Sequence, residues 1–158
     1  MDGKALLGIS PGTRVIGLAV MHKGELIEWR VKTFKQKWSW DKQNAILATI
    51  DRLCDYYKIG TVSLKKVDPL RSSPELDKLY SGILKQAQKN HIEVAQYSLS
   101  DLDHDARTGK KQTKEGLTEK VVEKHPELKH QYLRERNNRR EYYTKMFEAV
   151  AMAELYKE

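Results

Sequence analysis

Short apolar runs separated by turn residues open the chain: Ala5-Leu6-Leu7-Gly8-Ile9, then Val15-Ile16-Gly17-Leu18-Ala19-Val20-Met21, then Leu26-Ile27-Glu28-Trp29-Arg30-Val31. Their lengths and their bounding turns predict three strands. Pro11-Gly12 and Lys23-Gly24 leave connections short enough to join antiparallel neighbours, so a three-stranded meander is expected. The period then changes. From about Asp41 to Tyr57, the apolar residues Ala45, Ile46, Ile50, Leu53 and Cys54 recur at steps of three and four, which predicts a helix capped by Asp41 and ended by Gly60. Thr61 to Val67 reads as a buried strand, Pro74 to Asn90 as a second helix and Ile92 to Tyr97 as a fifth strand. Strands that alternate with helices need crossover connections, hence parallel pairing, and the expected class is α/β with a mixed five-stranded sheet.

Beyond Ser98 polar residues dominate, with a short helix from about Thr113 to Lys124 broken by Pro126 and a last helix from about Arg139 to Lys157. No repeat, low-complexity tract or long linker divides the chain, so residues 1–158 are read as one domain. A length of 158 residues with 39% hydrophobic content suits a single core. The net charge of +7 makes a polyanion such as nucleic acid the natural partner. That charge is concentrated: Arg107 to Lys145 holds twelve Lys or Arg against six Asp or Glu, which is six of the seven net charges. A lone cysteine, Cys54, excludes a disulfide scaffold, and no apolar stretch is long enough to span a membrane. The start fits neither a secretory signal nor a transit peptide, so a cytoplasmic location is expected.

The segment Leu7-Gly8-Ile9-Ser10-Pro11-Gly12-Thr13-Arg14 with the following strand resembles the opening of the RuvC-type Holliday-junction resolvases, whose first hairpin carries Gly-Ile-Asp-Pro-Gly-Thr-Arg. The resemblance continues in order. Ser63-Leu64-Lys65-Lys66-Val67 is similar to the family's central strand, Leu79-Tyr80-Ser81-Gly82-Ile83 to its next helix and Val94-Ala95-Gln96-Tyr97-Ser98 to its last strand. Thr108-Gly109 and Thr113-Lys114-Glu115 fall where the family has a glycine-containing loop and the helix after it, and Glu148-Ala149-Val150-Ala151-Met152-Ala153 resembles its closing helix. The resemblance implies an RNase H-like fold with helices on both faces of the sheet, a role in DNA recombination and repair, and a homodimer. It also implies cleavage of phosphodiesters by two Mg²⁺ ions. Such a pair of hard cations needs clustered carboxylate oxygens.

Those carboxylates are mostly absent. The family's first acid falls on Ser10 and its second on Lys65, where a shift of one residue lands on Lys66; the last two fall on Lys145 and Glu148. The four positions carry a formal charge of +1 where four acids would carry −4. A unit charge about 4 Å from another contributes on the order of 4 kcal/mol at an effective dielectric near 20, so the two lysines should repel a divalent ion about as strongly as two acids attract one. The expectation is a RuvC-like protein that binds nucleic acid, DNA first, and has lost catalysis, with Glu148 its one retained acid and no cofactor. The alternatives are an active Mg²⁺-dependent endonuclease with relocated acids, Asp68 or the cluster Asp101, Asp103 and Asp105, and a scaffold that only dimerises or docks another protein.

Arg134, Arg136, Arg139 and Arg140, with Tyr132, Tyr142 and Tyr143 nearby, make the densest basic and aromatic stretch and the leading candidate for a nucleic-acid contact. Lys110, Lys111 and Lys114 are candidate phosphate contacts from the neighbouring segment, and Arg14, Lys65 and Lys145 from the pocket itself. Trp38 and Trp40 lie among lysines, as base-stacking residues do, but a pair placed just before a helix also serves to staple a loop or to bury a dimer contact. His125 and His130 lack partners for a zinc site and read as surface residues; Cys54, on an apolar helix face, reads as a buried thiol.

Overall fold

The computed structural model of the chain describes residues 4–98, 114–138 and 143–157. The meander forms as expected. Strands β1 (Ala5–Ser10), β2 (Val15–His22) and β3 (Glu25–Thr33) pair antiparallel, with Ile9 opposite Leu18 and Leu18 opposite Arg30. The turn between β2 and β3 places Lys23 at φ 53° and Gly24 at φ 82°. Two successive positive φ values give the tight connection whose twist matches that of the flanking strands, and glycine supplies one of them without strain.

Strand β4 (Ile59–Lys65) runs parallel to β1, and β5 (Glu93–Tyr97) parallel to β4, giving the order β3-β2-β1-β4-β5. The connections between them are α1 (Trp40–Tyr57) and α2 (Pro74–Lys89). Both helices start at serines. Ser39 sits in extended backbone and its Oγ accepts the Lys42 N–H at 3.1 Å, while Ser73 does the same for Leu76 ahead of a proline at the first turn. Asp41 therefore lies inside the first turn of α1 rather than at its cap, where it complements the helix dipole. At the other end Lys58, at φ 55°, closes the helix, and Gly60 already belongs to β4.

Helices cover both faces of the sheet. On one side Leu7, Ile9, Ile16, Leu18, Val62 and Leu64 pack against Ile46, Ile50 and Leu53 of α1 and Leu79 and Ile83 of α2. On the other, Ala19, Met21 and Leu26 meet α5 (Thr144–Lys157), with Leu117 and Val121 of α3 (Lys114–Lys124) closing the layer. Pro126 does not simply end α3. It opens a 3₁₀ turn, Pro126–Leu128, that leads into α4 (Lys129–Asn138), a helix with no apolar stripe to predict it. The last helix begins at Thr144 rather than Arg139, and residues 139–142 lie outside the described residues. His125 is not at the surface: it is 6% exposed, with Nε2 2.7 Å from Glu154 Oε1, because the turn before Pro126 folds it back onto α5.

Helix α5 lies directly on the backbone of β1 and β2. A Cβ placed on Gly8 would collide with the Ala149 carbonyl, and one on Gly17 with the Lys145 carbonyl. Gly17→Ala is expected to lower unfolding free energy in urea by about 1–3 kcal/mol or more through overpacking, whereas Gly24→Asn, at the turn, should change it by a few tenths. The Cys54 thiol is buried in the α1 face, and burial, with Asp51 adding to it, pushes its pKa up to about 12. In the native protein at pH 8 it should react with an aromatic disulfide reagent roughly a hundredfold more slowly than in urea.

Candidate functional site

Parallel pairing ends with Ile9 opposite Leu64, so the next residues, Ser10 and Lys65, leave β1 and β4 side by side. Both face α5, as Gly8 and Ser63 do, since strand side chains alternate. Ser63 Oγ donates to the Met152 carbonyl at 2.6 Å, which fixes the helix over β4. The close approach at Gly8 and Gly17 leaves α5 no freedom to lift, and Glu148 is held against the strand ends at 4% exposure.

The three positions converge. Glu148 Oε1 accepts from Ser10 Oγ at 2.8 Å and Oε2 from Lys65 Nζ at 3.1 Å; Ser10 is fully buried and the Lys65 side chain 15% exposed. Lys145, one turn earlier on α5, sends Nζ to the Pro11 carbonyl at 3.1 Å in the β1–β2 connection. The arrangement is less an inversion of charge than a cancellation. Lys65 neutralises Glu148, Ser10 is uncharged, and Lys145, half-buried, is held on the Pro11 carbonyl.

A pair of divalent ions does not fit this donor set. Both oxygens of the one carboxylate are already engaged by protein donors, and the neighbouring Pro11 carbonyl is engaged by Lys145. An ammonium occupies the ground from which a second carboxylate would have to coordinate. Among the described residues no group of three His, Cys, Asp or Glu is placed to hold a metal. At 3.1 Å the ion pair gains about 5 kcal/mol at an effective dielectric near 20, most of it offset by desolvation of the two groups. Its partners are therefore worth little as a pair and much singly, since removing either leaves the other charge buried.

Of the relocated acids only Asp68 lies among the described residues, and it is engaged elsewhere. Asp68 caps the 3₁₀ turn after β4, its Oδ1 accepting the Leu70 N–H at 2.9 Å, and Asp101, Asp103 and Asp105 lie outside the described residues. Of the basic candidates, Arg14 is exposed in the β1–β2 connection and Arg134 exposed on α4. Arg136 lies on α4 and Lys114 opens α3, while Lys110, Lys111, Arg139 and Arg140 fall outside the described residues. The tryptophans separate: Trp38 packs against the core and Trp40 stands 74% exposed beside the groove between α1 and α2. Lys42, which periodicity would leave in solvent, is 3% exposed and ties Nζ to the Gln36 carbonyl at 2.8 Å. Burial, with Arg14 nearby, lowers its pKa. It was hidden because a lysine is the side chain least expected inside, and its carbonyl partner belongs to a loop without periodicity.

No family model matches the chain, and no curated protein matches it in sequence. Solved structures do. Thermus thermophilus RuvC aligns over 94% of this chain and 90% of its own at TM-score 0.69 and 15% identity. The same organism's RuvC in complex with a Holliday junction substrate aligns over 96% and 90% at TM-score 0.65 and 16% identity. The Fowlpox virus resolvase, in complex with Holliday junction DNA, aligns over 96% and 95% at TM-score 0.58 and 16% identity. With the mixed sheet in the order β3-β2-β1-β4-β5 and helices on both faces, the chain has the RuvC-like form of the RNase H fold.

Proposed function

We propose that the protein binds DNA, four-way junctions among its targets, without cutting it. The observation that carries the reading is the closed triad of Ser10, Glu148 and Lys65, in which a lysine takes up the charge of the one acid that remains. Phosphodiester cleavage of the two-metal kind needs ions that neutralise the developing charge, and here the groups that would recruit them are bonded to each other. What stays available is phosphate contact. Arg14 in the β1–β2 connection and Arg134 on α4 are exposed cations on the described part of the chain, Lys145 lies against the same connection, and the stretch from Arg107 to Lys145 carries most of the excess charge. The RuvC and Fowlpox structures with junction DNA show that this fold presents a surface to branched DNA in those proteins.

Binding through phosphates is salt-dependent because counterions are released. A labelled four-way junction should bind with an affinity that falls steeply between low and moderate salt, and Arg134→Ala should flatten the slope of log affinity against log salt by about 0.9. Binding that ignores salt would remove the phosphate reading. The junction should remain intact after prolonged incubation with Mg²⁺ or Mn²⁺, and titration calorimetry should show no tight stoichiometric uptake of either; metal-dependent nicks abolished by Glu148→Ala would make the protein a nuclease instead.

The triad itself is open to test. Lys65→Met strands a buried carboxylate and should cost about 3–5 kcal/mol in urea unfolding. Adding Glu148→Gln, which removes the charge but keeps an acceptor for Ser10, should recover part of that loss. An unchanged stability for Lys65→Met would mean that the ion pair does not hold the site closed.

A further inference from the structure

A second basic surface lies on the far side of the sheet from Glu148. Glu28, Arg30 and Lys32 of β3 pair with Val20, Leu18 and Ile16 of β2, so their side chains share the face covered by α1. That helix stops short of the sheet edge. Between Glu28, Arg30 and Lys32 and the α1 residues Thr49, Arg52, Leu53, Tyr56 and Tyr57 is an open hollow of about 570 Å³. The α1 residues recur at steps of three and four, so they form one stripe along the helix facing the strand.

The charge in the hollow is unbalanced. Glu28 is its one acid, and it is spoken for, accepting from the Tyr57 hydroxyl and from Arg30. That bond is the main reason the Tyr57 phenol is pushed up to about 12, so it stays neutral at ordinary pH. Arg52 donates only to the Thr49 hydroxyl, at 3.4 Å, and neither it nor Lys32 has a carboxylate partner among the described residues. Above them stands Tyr56, 78% exposed, braced edge to face by Tyr57 with ring centroids 4.8 Å apart at 79°. A large aromatic ring held out into water beside two uncompensated cations is a poor solution for folding. It is the usual equipment of a surface that stacks one base and holds the adjoining phosphates.

We infer that Lys32, Arg52 and Tyr56 form a binding site for single-stranded nucleic acid on the α1 face, separate from the junction surface on the α5 side. The base stacks on Tyr56 while Lys32 and the Arg52 guanidinium contact the flanking phosphates. The inference extends the nucleic-acid reading above but uses none of the same side chains. The full chain would then hold duplex or branched DNA on one face and an unpaired strand on the other.

Anisotropy with labelled oligothymidine tests it, using the full chain and a labelled junction in parallel. Tyr56→Ala should weaken oligothymidine binding about tenfold and Tyr56→Phe, which keeps the ring, should not. Lys32→Ala with Arg52→Ala should lower the salt slope for oligothymidine by about 1.4. All three residues are at the surface, so the variants should melt as the parent does and bind the junction unchanged. Oligothymidine binding that is indifferent to these changes overturns the inference, as does an equal loss on the junction, which would make the hollow a general phosphate contact. A parent that binds the junction but not oligothymidine sinks this site alone, whereas a parent that binds neither sinks the proposed function as well.

Discussion

The seat of α5 on bare backbone is the constraint from which the rest follows. Gly8 and Gly17 remove the side chains that would otherwise separate the helix from β1 and β2, and the small residues Ala149 and Ala153 complete the contact. Packed that closely, the helix has one position relative to the strand ends, and Glu148 is carried into a place where water cannot solvate it. A buried carboxylate must find donors within the protein. Ser10 and Lys65 supply them from the ends of two neighbouring strands. A charge tethered on a side chain is always present, whereas an ion is present only at sufficient concentration, so the fold is closed here without help from solution.

Much of the architecture is readable from residue pattern, and the places where it is not have local causes. The meander and the crossover strands rest on runs such as Val15 to Met21, apolar throughout, and Thr61 to Leu64, where Val62 and Leu64 alternate with Thr61 and Ser63 at the period of a strand. The pattern puts the cap of α1 at Asp41 where the structure uses Ser39, because both are good capping types and only the backbone angles choose between them. Helix α4 has no signal, since Lys-His-Gln-Tyr-Leu-Arg-Glu-Arg-Asn-Asn holds too few apolar residues to show a stripe. As for the site, Ser10, Lys65 and Glu148 are identifiable by resemblance to the resolvases, but their mutual bonding spans sequence separations of 83 and 138 residues and no local rule reports it. The hollow around Tyr56 is illegible for a related reason: its cations come from a strand and a helix that look, taken separately, like ordinary solvated faces.

Charge on β3 serves two purposes. Among the described residues the strand is an edge of the sheet, and the outward N–H and C=O groups of its alternate residues would template another strand. Glu25, Glu28, Arg30 and Lys32 make that edge unattractive to a second copy. Two acids and two cations balance along the strand, and it is Arg52 of α1, lining the same hollow as Glu28, Arg30 and Lys32, that leaves this face net positive. Edge defence and anion attraction are met by the same side chains, which is economical in a chain with little surface to spare.

Helix α5 is apolar nearly all round, from Met146 through Ala153, and such a helix has no stripe to specify how it is rotated or how far it has slid. Its two buried acids do that instead. Six residues past Glu148, Glu154 meets His125 at 2.7 Å and Lys124 at 2.8 Å, the latter an ion pair rather than an aligned hydrogen bond. Lys65 reaches the first acid from the sheet, and the end of α3 reaches the second from the opposite layer. A slip of one residue would leave both carboxylates buried without donors, a cost of several kcal/mol that no gain in apolar contact on so uniform a helix would offset. Buried pairs are weak contributors to stability and strong markers of register. That division gives Glu148 a structural role in a site where, among the described residues, no second acid stands beside it: its carboxylate tells α5 where to stop.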